Sequence, residues 1–258
     1  MIVAALIGLI ISYQIVTNQR MTVIFSAIAA GIGVTIRVTL IAYFLAVVIG
    51  LWVGLARVSS NKIILNLASL YVEVVRGVPI LVLLMYIAFV AVPLLVTSLN
   101  ALGAWVGSES FIGALLVNLK TRAISNELRV IIGLGVAYGA FESEIFRAGI
   151  QSIEKGQMEA ARALGMSYIQ AMRHIILPQA IRRVLPALGN DFVAMLKDSS
   201  LVSVLGVEDI TQLTKLYAAS TFLFFQSYSI LAFIYLTITI LLSRGVRALE
   251  TRLSVHRR

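Results

Sequence analysis

The chain has 258 residues, of which 60% are hydrophobic and 13% are charged, and its mean hydropathy is +0.97. Soluble domains carry about 25% charged residues, so this composition excludes intrinsic disorder and most soluble enzymes and indicates an integral membrane protein. The net charge of +9 is typical of basic loops that face the cytoplasm and anionic lipid, and we expect no nucleic-acid binding. Cysteine is absent and the two histidines, His174 and His256, are far apart in sequence, so we predict no disulfide, no metal site and no catalytic site.

Runs of residues without charge locate the membrane spans, because a helix needs about 20 apolar residues to cross the hydrocarbon. A further stretch, 184–207, is apolar but interrupted by Asp191, Lys197 and Asp198. The charge-free runs are, in chain order, 1–19, 38–56, 77–108, 130–141 and 216–243. We therefore predict an all-α polytopic membrane protein with five core transmembrane helices and an extra N-terminal helix.

The predicted organisation has three parts. Residues 1–28 form the extra N-terminal helix and an outer link, residues 29–250 form the transmembrane domain, and residues 251–258 form a cytoplasmic tail. A signal peptide is the alternative for residues 1–17, but this segment lacks a basic start and a small-residue cleavage site. If the C-terminus lies in the cytoplasm, most Lys and Arg residues of the loops lie on the cytoplasmic side, as is usual for membrane proteins. We therefore predict a multi-pass protein with a cytoplasmic C-terminus.

Two loops are long. The outer one, about 98–126, contains Gly, Ser and Asn and is predicted to hold a short interfacial helix. The inner one, about 151–178, is rich in strong helix formers. Gly165 is placed to end one short helix, and Ser167 with Gln170 has the spacing of a capping box that begins a second. On this pattern alone, an amphipathic linker lying on the lipid is an equal alternative.

The inner loop carries a spaced pattern: Glu159-Ala160-Ala161, Gly165, Ile175 and the pair Leu177-Pro178. Every specified position resembles the EAA signature of ABC-importer permeases. Three other segments resemble the polar amino-acid branch of that family: Arg76-Gly77-Val78-Pro79-Ile80, where Val78 replaces the usual threonine, residues 144–152, and residues 196–201.

The resemblance covers about residues 30–250 and leaves out the N-terminus and the outer loop. It implies the type I ABC-importer fold and a permease subunit for polar amino acids in the bacterial inner membrane. The implied partners are a second permease subunit, identical or paralogous, a dimer of cytoplasmic ATPases and an extracytoplasmic binding protein, with membrane lipid around them. ATP and Mg would be bound by the ATPases, since this chain has no G-x-x-x-x-G-K-[ST] loop.

The resemblance makes the inner loop the coupling helix that docks on the ATPase. The coupling residues predicted are Glu159, Ala160, Ala161, Gly165, Leu177 and Pro178. We expect Glu159 near the start of its helix, where the dipole favours a carboxylate, although a simple N-terminal charge would explain Glu159 alone. We expect Gly165 in a left-handed conformation that a Cβ would strain.

Ionisable residues at membrane depth are costly and face the bundle interior or a wet cavity. The substrate path predicted on this ground comprises Glu142, Lys197, Asp198, Ser199 and Ser200, which together offer donors and acceptors for a zwitterion. A self-contained ion pair that braces a helix break is the alternative for Lys197 and Asp198. Glu142 could accept a cationic group from a substrate or from a partner subunit.

A third group is predicted to be structural or gating: Arg76, Gly77, Pro79, Glu144 and Arg147. Glu144 and Arg147 are three apart and can pair on one helical face. Pro79 breaks or kinks a helix, and broken helices are where transporters place moving backbone; an ordinary proline kink is the alternative. The spacings Gly50-x-x-x-Gly54 and Gly135-x-x-x-Gly139 are possible packing seams.

Two other functional classes stay open on the sequence. An ion-coupled secondary transporter or channel would work without an ATPase, and inverted repeats would favour it. A membrane scaffold or a membrane-embedded enzyme is the third class, and the lack of a His/Asp/Glu cluster argues against hydrolysis in the membrane.

Overall fold

The computed structural model describes residues 2–107 and 109–255, and within them every regular element is helical. The predicted all-α class is therefore confirmed. The helices are α1 Ile2–Thr17, α2 Gln19–Ala29, α3 Ile32–Ala56, α4 Lys62–Gly77, α5 Ile80–Tyr86, α6 Val92–Val106, α7 Phe111–Val117, α8 Asn126–Gln151, α9 Lys155–Ala163, α10 Tyr168–Ala171, α11 Leu177–Asp198, α12 Ile210–Thr221 and α13 Phe224–Val255. Short π turns join α5 to α6 and α10 to α11, and 3-10 turns cover Thr121–Ala123 and Ser199–Leu205.

Five long helical segments form the bundle: α3, α4 to α6, α8, α11 and α13. By length and hydropathy, the described chain has three helices able to cross a membrane, at Gln19–Ala56, Ile80–Val106 and Phe224–Thr251. The other two long helices, α8 and α11, carry several charged residues each, which lowers their hydropathy. These are the segments that hold the predicted path residues.

The closest packing in the bundle is between α3 and α8, which run side by side. Gly54 lies against Phe146, where an added Cβ would come within 2.8 Å of the phenylalanine Cβ. On the other side of the seam, Gly139 faces Ile49, whose Cγ2 would be 2.7 Å from an added Cβ. Both predicted glycine spacings therefore form one seam, and each supplies the flat surface that receives the other helix.

The core is shared by four segments. Ala42 on α3, Leu84 on α5, Leu134 on α8 and Met195 on α11 are all buried and belong to one apolar cluster. This cluster fixes α11, with its ionisable residues, against the rigid α3–α8 pair.

The N-terminal part is two helices, not a helix and a link. Met21, Ile24 and Ile28 of α2 are buried against α12 and α13, so α2 belongs to the bundle, while α1 contacts α2 and α13. At the other end, α13 continues to Val255, past the predicted boundary at residue 250. Residues 256–258 of the predicted tail, with His256, lie outside the described residues.

The predicted outer loop is mostly helical. Its first part continues α6 as far as Val106, and α7 supplies the short helix that the sequence predicts. Gly103 of α6 and Gly113 of α7 pack against each other, since a Cβ on Gly103 would come within 2.9 Å of the Gly113 carbonyl oxygen. The loop is thus a tightly packed helical hairpin.

Candidate coupling knob and substrate path

The inner loop folds as a two-helix knob, which we define as residues 155–171. Gly165 has a φ of +82°, and its N–H donates to the Arg162 carbonyl at 3.0 Å while the N–H of Met166 donates to the Ala161 carbonyl at 3.1 Å. This pair of bonds is the Schellman motif that ends α9. The predicted left-handed Gly165 is confirmed.

The second helix of the knob begins with the predicted capping box. The N–H of Gln170 donates to the Ser167 hydroxyl at 3.2 Å, and the Ser167 N–H donates to the Gln170 side chain at 2.8 Å. The first N–H groups of a helix have no partner within the helix, and the capping box supplies an acceptor for two of them. A very short helix can therefore start immediately after the turn.

The exposed face of the knob differs in part from the prediction. Glu159 and Ala160 are exposed, together with the apolar side chains Leu164 and Ile169, which are 85% and 76% exposed. Ala161, in contrast, is buried, so it is not part of the exposed face of the knob. Leu164 and Ile169 were not selected from the sequence, because only the fold shows that they stay uncovered.

The position of Glu159 corrects a second expectation. Helix α9 begins at Lys155, with Glu154 as the N-cap, so Glu159 is outside the first turn. The helix dipole acts mainly within that turn, and it therefore does not explain why a carboxylate is at this position.

The knob is attached to the bundle on both sides. Ile150 and Ile153, near the end of α8, are buried against Ile176 and Ala180, which lead into α11. Arg183 of α11 also donates to the carbonyl and hydroxyl oxygens of Ser152. The two segments that flank the knob, the end of α8 and the start of α11, are thus packed and hydrogen-bonded to each other.

Leu177 and Pro178 lie at the start of α11, inside a continuous helix. The helix runs without interruption from α10 through the π turn Met172–Ile176 into α11, and the Leu177 N–H bonds to the Met172 carbonyl. Proline has no N–H and its ring clashes with the carbonyl four residues earlier. The wider π turn accommodates both effects, so the helix continues.

Glu144 joins three segments of the bundle. Its carboxylate lies 2.6 Å from Arg57 at the end of α3, 3.2 Å from Arg76 on α4 and 2.8 Å from Arg147 on α8. The predicted Glu144–Arg147 pair is present, and Arg76 also lies over the Phe141 ring at 5.3 Å. Arg57 was not selected from the sequence, since it reads there as an ordinary loop cation.

The predicted break at Gly77 and Pro79 is a true interruption of the helix. Helix α4 ends at Gly77, Val78 is extended, and α5 begins after Pro79. This geometry excludes a continuous helix with a proline kink.

Lys197 and Asp198 do not pair with each other among the ion pairs of the described residues. Asp198 accepts a hydrogen bond from the Tyr138 hydroxyl at 2.8 Å, whereas Lys197 is exposed. Ser199 is buried and donates to the Leu196 carbonyl, and Ser200 is half-buried. The self-contained ion pair is therefore excluded, and the two charges remain available to other groups.

Glu142 is fully buried on the α3–α8 seam, and neither of its carboxylate oxygens has a hydrogen-bond partner. Its electrostatic neighbours are Tyr43 on α3 and Asp191 on α11, and Tyr43 donates its hydroxyl to the Leu188 carbonyl at 2.5 Å. Among the side chains of residues 8–107, 109–154 and 156–251, no ion pair includes Glu142, Asp191 or Asp198. Three carboxylates on facing helices thus have no cationic partner within these residues.

A polytopic helical bundle with uncompensated charges inside and a rigid, exposed knob at one end defines the membrane subunit of a solute transporter. The family model described as "Binding-protein-dependent transport system inner membrane component" matches residues 46–255. The chain belongs to this family and is a multi-pass permease subunit of an ABC importer.

Curated relatives support the same assignment. The "Probable glutamine ABC transporter permease protein GlnM" of Bacillus subtilis is 37% identical over 229 residues, which cover 89% of this chain and 94% of the relative. The "Nopaline transport system permease protein NocM" of Agrobacterium fabrum is 34% identical and covers 91% of this chain and 90% of its own length. The predicted resemblance is confirmed.

Solved structures support the predicted type I fold. The "Crystal structure of an amino acid ABC transporter with histidines" matches with a TM-score of 0.70 and 35% identity, over 88% of this chain and 94% of that chain. An inward-facing structure of the MetNI methionine ABC transporter matches with a TM-score of 0.63 over 90% of this chain and 99% of that chain, but at 19% identity it supports the fold alone.

Proposed function

We propose that this chain forms, with a second identical or paralogous permease subunit, the translocation path of an ATP-driven importer of polar L-amino acids. The names of its relatives, which include a glutamine and a nopaline permease, support this substrate class. An extracytoplasmic binding protein delivers the amino acid, and the chain itself carries out no catalysis.

The observation that carries this proposal is the knob. Its exposed surface combines Glu159, Leu164 and Ile169, and its Met158 packs against the apolar cluster that joins the end of α8 to the start of α11. Exposed large apolar groups beside a charge are typical of a protein interface. A rigid-body movement of an ATPase bound here would be passed to two helices of the path.

ATP and Mg belong to the partner ATPases in this scheme. The chain has no P-loop of its own, so hydrolysis has to reach the path through a docked subunit. The knob and the C-terminus then face the cytoplasm.

The substrate path is proposed to run past Lys197, Asp198, Ser199, Ser200 and Glu142. The exposed Lys197 ammonium is available for a substrate carboxylate. The unpaired carboxylates of Asp198, Asp191 and Glu142 are available for a substrate ammonium, since buried charges require a partner. The hub of Glu144 with Arg57, Arg76 and Arg147 is proposed to hold the broken helix α4–α5 in one of its positions.

Cross-linking tests the docking directly. Because the chain has no cysteine, Ala160→Cys introduces a single thiol on the knob, and we expect it to cross-link to the co-expressed ATPase. Lys120→Cys, at the opposite end of α8, is the matched control and should give no such product. Cross-linking from Lys120→Cys alone would reject the coupling role of the knob.

Transport measurements separate this proposal from an ion-coupled transporter. In proteoliposomes containing both permease subunits, the ATPases and the binding protein, a panel of amino acids should stimulate ATP hydrolysis and drive uptake. Uptake that follows an ion gradient and is unaffected by removing the ATPase would favour the secondary transporter.

A further inference from the structure

The outer hairpin, which we define as helices α6 and α7, packs mainly on itself. Helix α6 makes its main contacts with the preceding π turn, with α7 and with the turn Thr121–Ala123, and α7 makes its own mainly with α6. It lies at the end of the bundle opposite the knob, because α8 begins just after the hairpin and ends just before α9. The hairpin lies within residues 46–255, which the permease family model matches, but none of its residues belongs to the predicted coupling, path or gating groups.

The surface of the hairpin is apolar. Its exposed large hydrophobic side chains are Leu94, Leu95, Leu102, Trp105, Val106, Phe111, Ile112, Leu115 and Val117. Glu109, at the turn between the two helices, is the only charged residue in the sequence between Arg76 and Lys120. An uncovered apolar surface of this kind is unstable in water and requires an apolar environment or a partner.

The dimensions of α7 limit what that environment can be. Its seven residues span about 10 Å at 1.5 Å per residue, about a third of the hydrocarbon thickness. Polar groups lie at both of its ends: Glu109 precedes it, and Lys120 and Arg122 follow it. Helix α7 therefore cannot cross the bilayer, and both of its ends lie near the same membrane surface.

The charge pattern favours lipid as the occupant. Lys120 and Arg122 are exposed and have no ion pair among the described residues, which suits the phosphates of anionic lipids. Trp105 has the side chain that is enriched at the membrane interface. A protein partner for this surface would be expected to meet polar groups around an apolar centre, whereas the body of the hairpin carries no charge.

We propose that the outer hairpin is a re-entrant lipid anchor, with its apolar side chains in the leaflet opposite the knob and Lys120 and Arg122 on anionic phospholipid headgroups. It holds the outer end of the segment α5–α6. Beyond the π turn, this segment makes its main contacts with α7 and the turn Thr121–Ala123 and not with the other long helices. The anchor thus fixes in the bilayer the far end of the helix that is broken at Gly77 and Pro79.

Tryptophan fluorescence tests the location. The sequence has two tryptophans, Trp52 and Trp105, so Trp52→Phe in the full chain leaves Trp105 as the only reporter. In nanodiscs we expect blue-shifted emission, loss of most of the intensity with lipids brominated near the carbonyls, and little effect of aqueous iodide. Quenching by iodide instead, or protection from both quenchers, would overturn the proposal, because the first indicates water and the second a protein cover.

A second measurement tests the headgroup. Brominated phosphatidylglycerol should quench Trp105 more strongly than the same fraction of brominated phosphatidylcholine, and Lys120→Gln with Arg122→Gln should abolish this difference. The matched control is Lys62→Gln with Arg182→Gln, two exposed cations at the other end of the bundle, which should leave the preference unchanged. If the two brominated lipids quench Trp105 equally in the protein that retains Lys120 and Arg122, the anionic headgroup site is rejected.

Discussion

Arg76, in the last turn of α4, places its Nη1 3.2 Å from the Oε1 of Glu144 on α8. Gly77 and Pro79, where the helix is broken, follow Arg76 directly. The same carboxylate binds Arg57 and Arg147, and α8 ends at Gln151, shortly before the knob begins at Lys155. The hub therefore connects the knob to the one segment of the bundle whose backbone is already interrupted.

Glu144→Gln should destabilise the protein, because three guanidinium groups lose their common carboxylate. The site is only a quarter exposed, so screening by water is limited, and we expect a loss of about 1–3 kcal/mol. The midpoint of thermal unfolding in detergent measures the effect. Glu127→Gln is the control, since it breaks the more exposed pair with Arg37, which is worth about 0–1 kcal/mol. Equal shifts for the two variants would contradict the hub.

Gly54→Ala should separate α3 from α8. The new Cβ would lie 2.8 Å from the Cβ of Phe146 and 3.0 Å from the Ser143 carbonyl oxygen, and backbone cannot yield as a flexible side chain does. We expect a cost of about 1–3 kcal/mol from overpacking, measured as a lower unfolding temperature. Gly33→Ala on the same helix meets nothing within 4 Å and should gain up to about 1 kcal/mol from helix propensity.

The sequence was sufficient for the elements that depend on local chemistry. Gly165 and the Ser167–Gln170 capping box set the turn between α9 and α10. They act through local conformation and through hydrogen bonds between residues that are close in sequence, and both appear as predicted. The broken helix at Pro79 follows in the same way from the missing N–H. Each of these features is decided within a few residues of the chain.

The features that were missed depend on contacts between distant segments. Arg57 joins the hub only because α3 and α8 pack closely enough to bring its side chain to Glu144. Ala161 and Ala160 are equivalent in sequence, yet one is buried and the other exposed, because the way α9 packs on α10 and the π turn Met172–Ile176 decides which side is covered. The π turn before Pro178 also depends on more than the local residues, since it has no recognised sequence signature here.

Gly165→Ala should uncouple ATP hydrolysis from transport. A Cβ at a φ of +82° strains the turn by about 1–2 kcal/mol, which favours a different angle between α9 and α10. Membrane insertion should be normal, since the knob lies outside the bundle, while substrate stimulation of the ATPase should fall. Gly156→Ala on α9 has open space around it and serves as the control that should couple normally. Wild-type stimulation in Gly165→Ala would show that the turn geometry is not needed.

Glu142→Gln should reduce the transport of cationic amino acids without lowering the stability of the protein. The carboxylate is buried without a hydrogen-bond partner, and an unsatisfied buried polar group costs about 1–3 kcal/mol, more when charged. A neutral side chain of the same shape should therefore leave the unfolding temperature unchanged or raise it. Uptake of cationic amino acids should fall, while uptake of neutral polar amino acids continues, because only the former need an additional acceptor. Glu73→Gln makes the same charge change at an exposed position of α4 and should alter neither measurement. Normal uptake of arginine and lysine by Glu142→Gln would remove Glu142 from the substrate path.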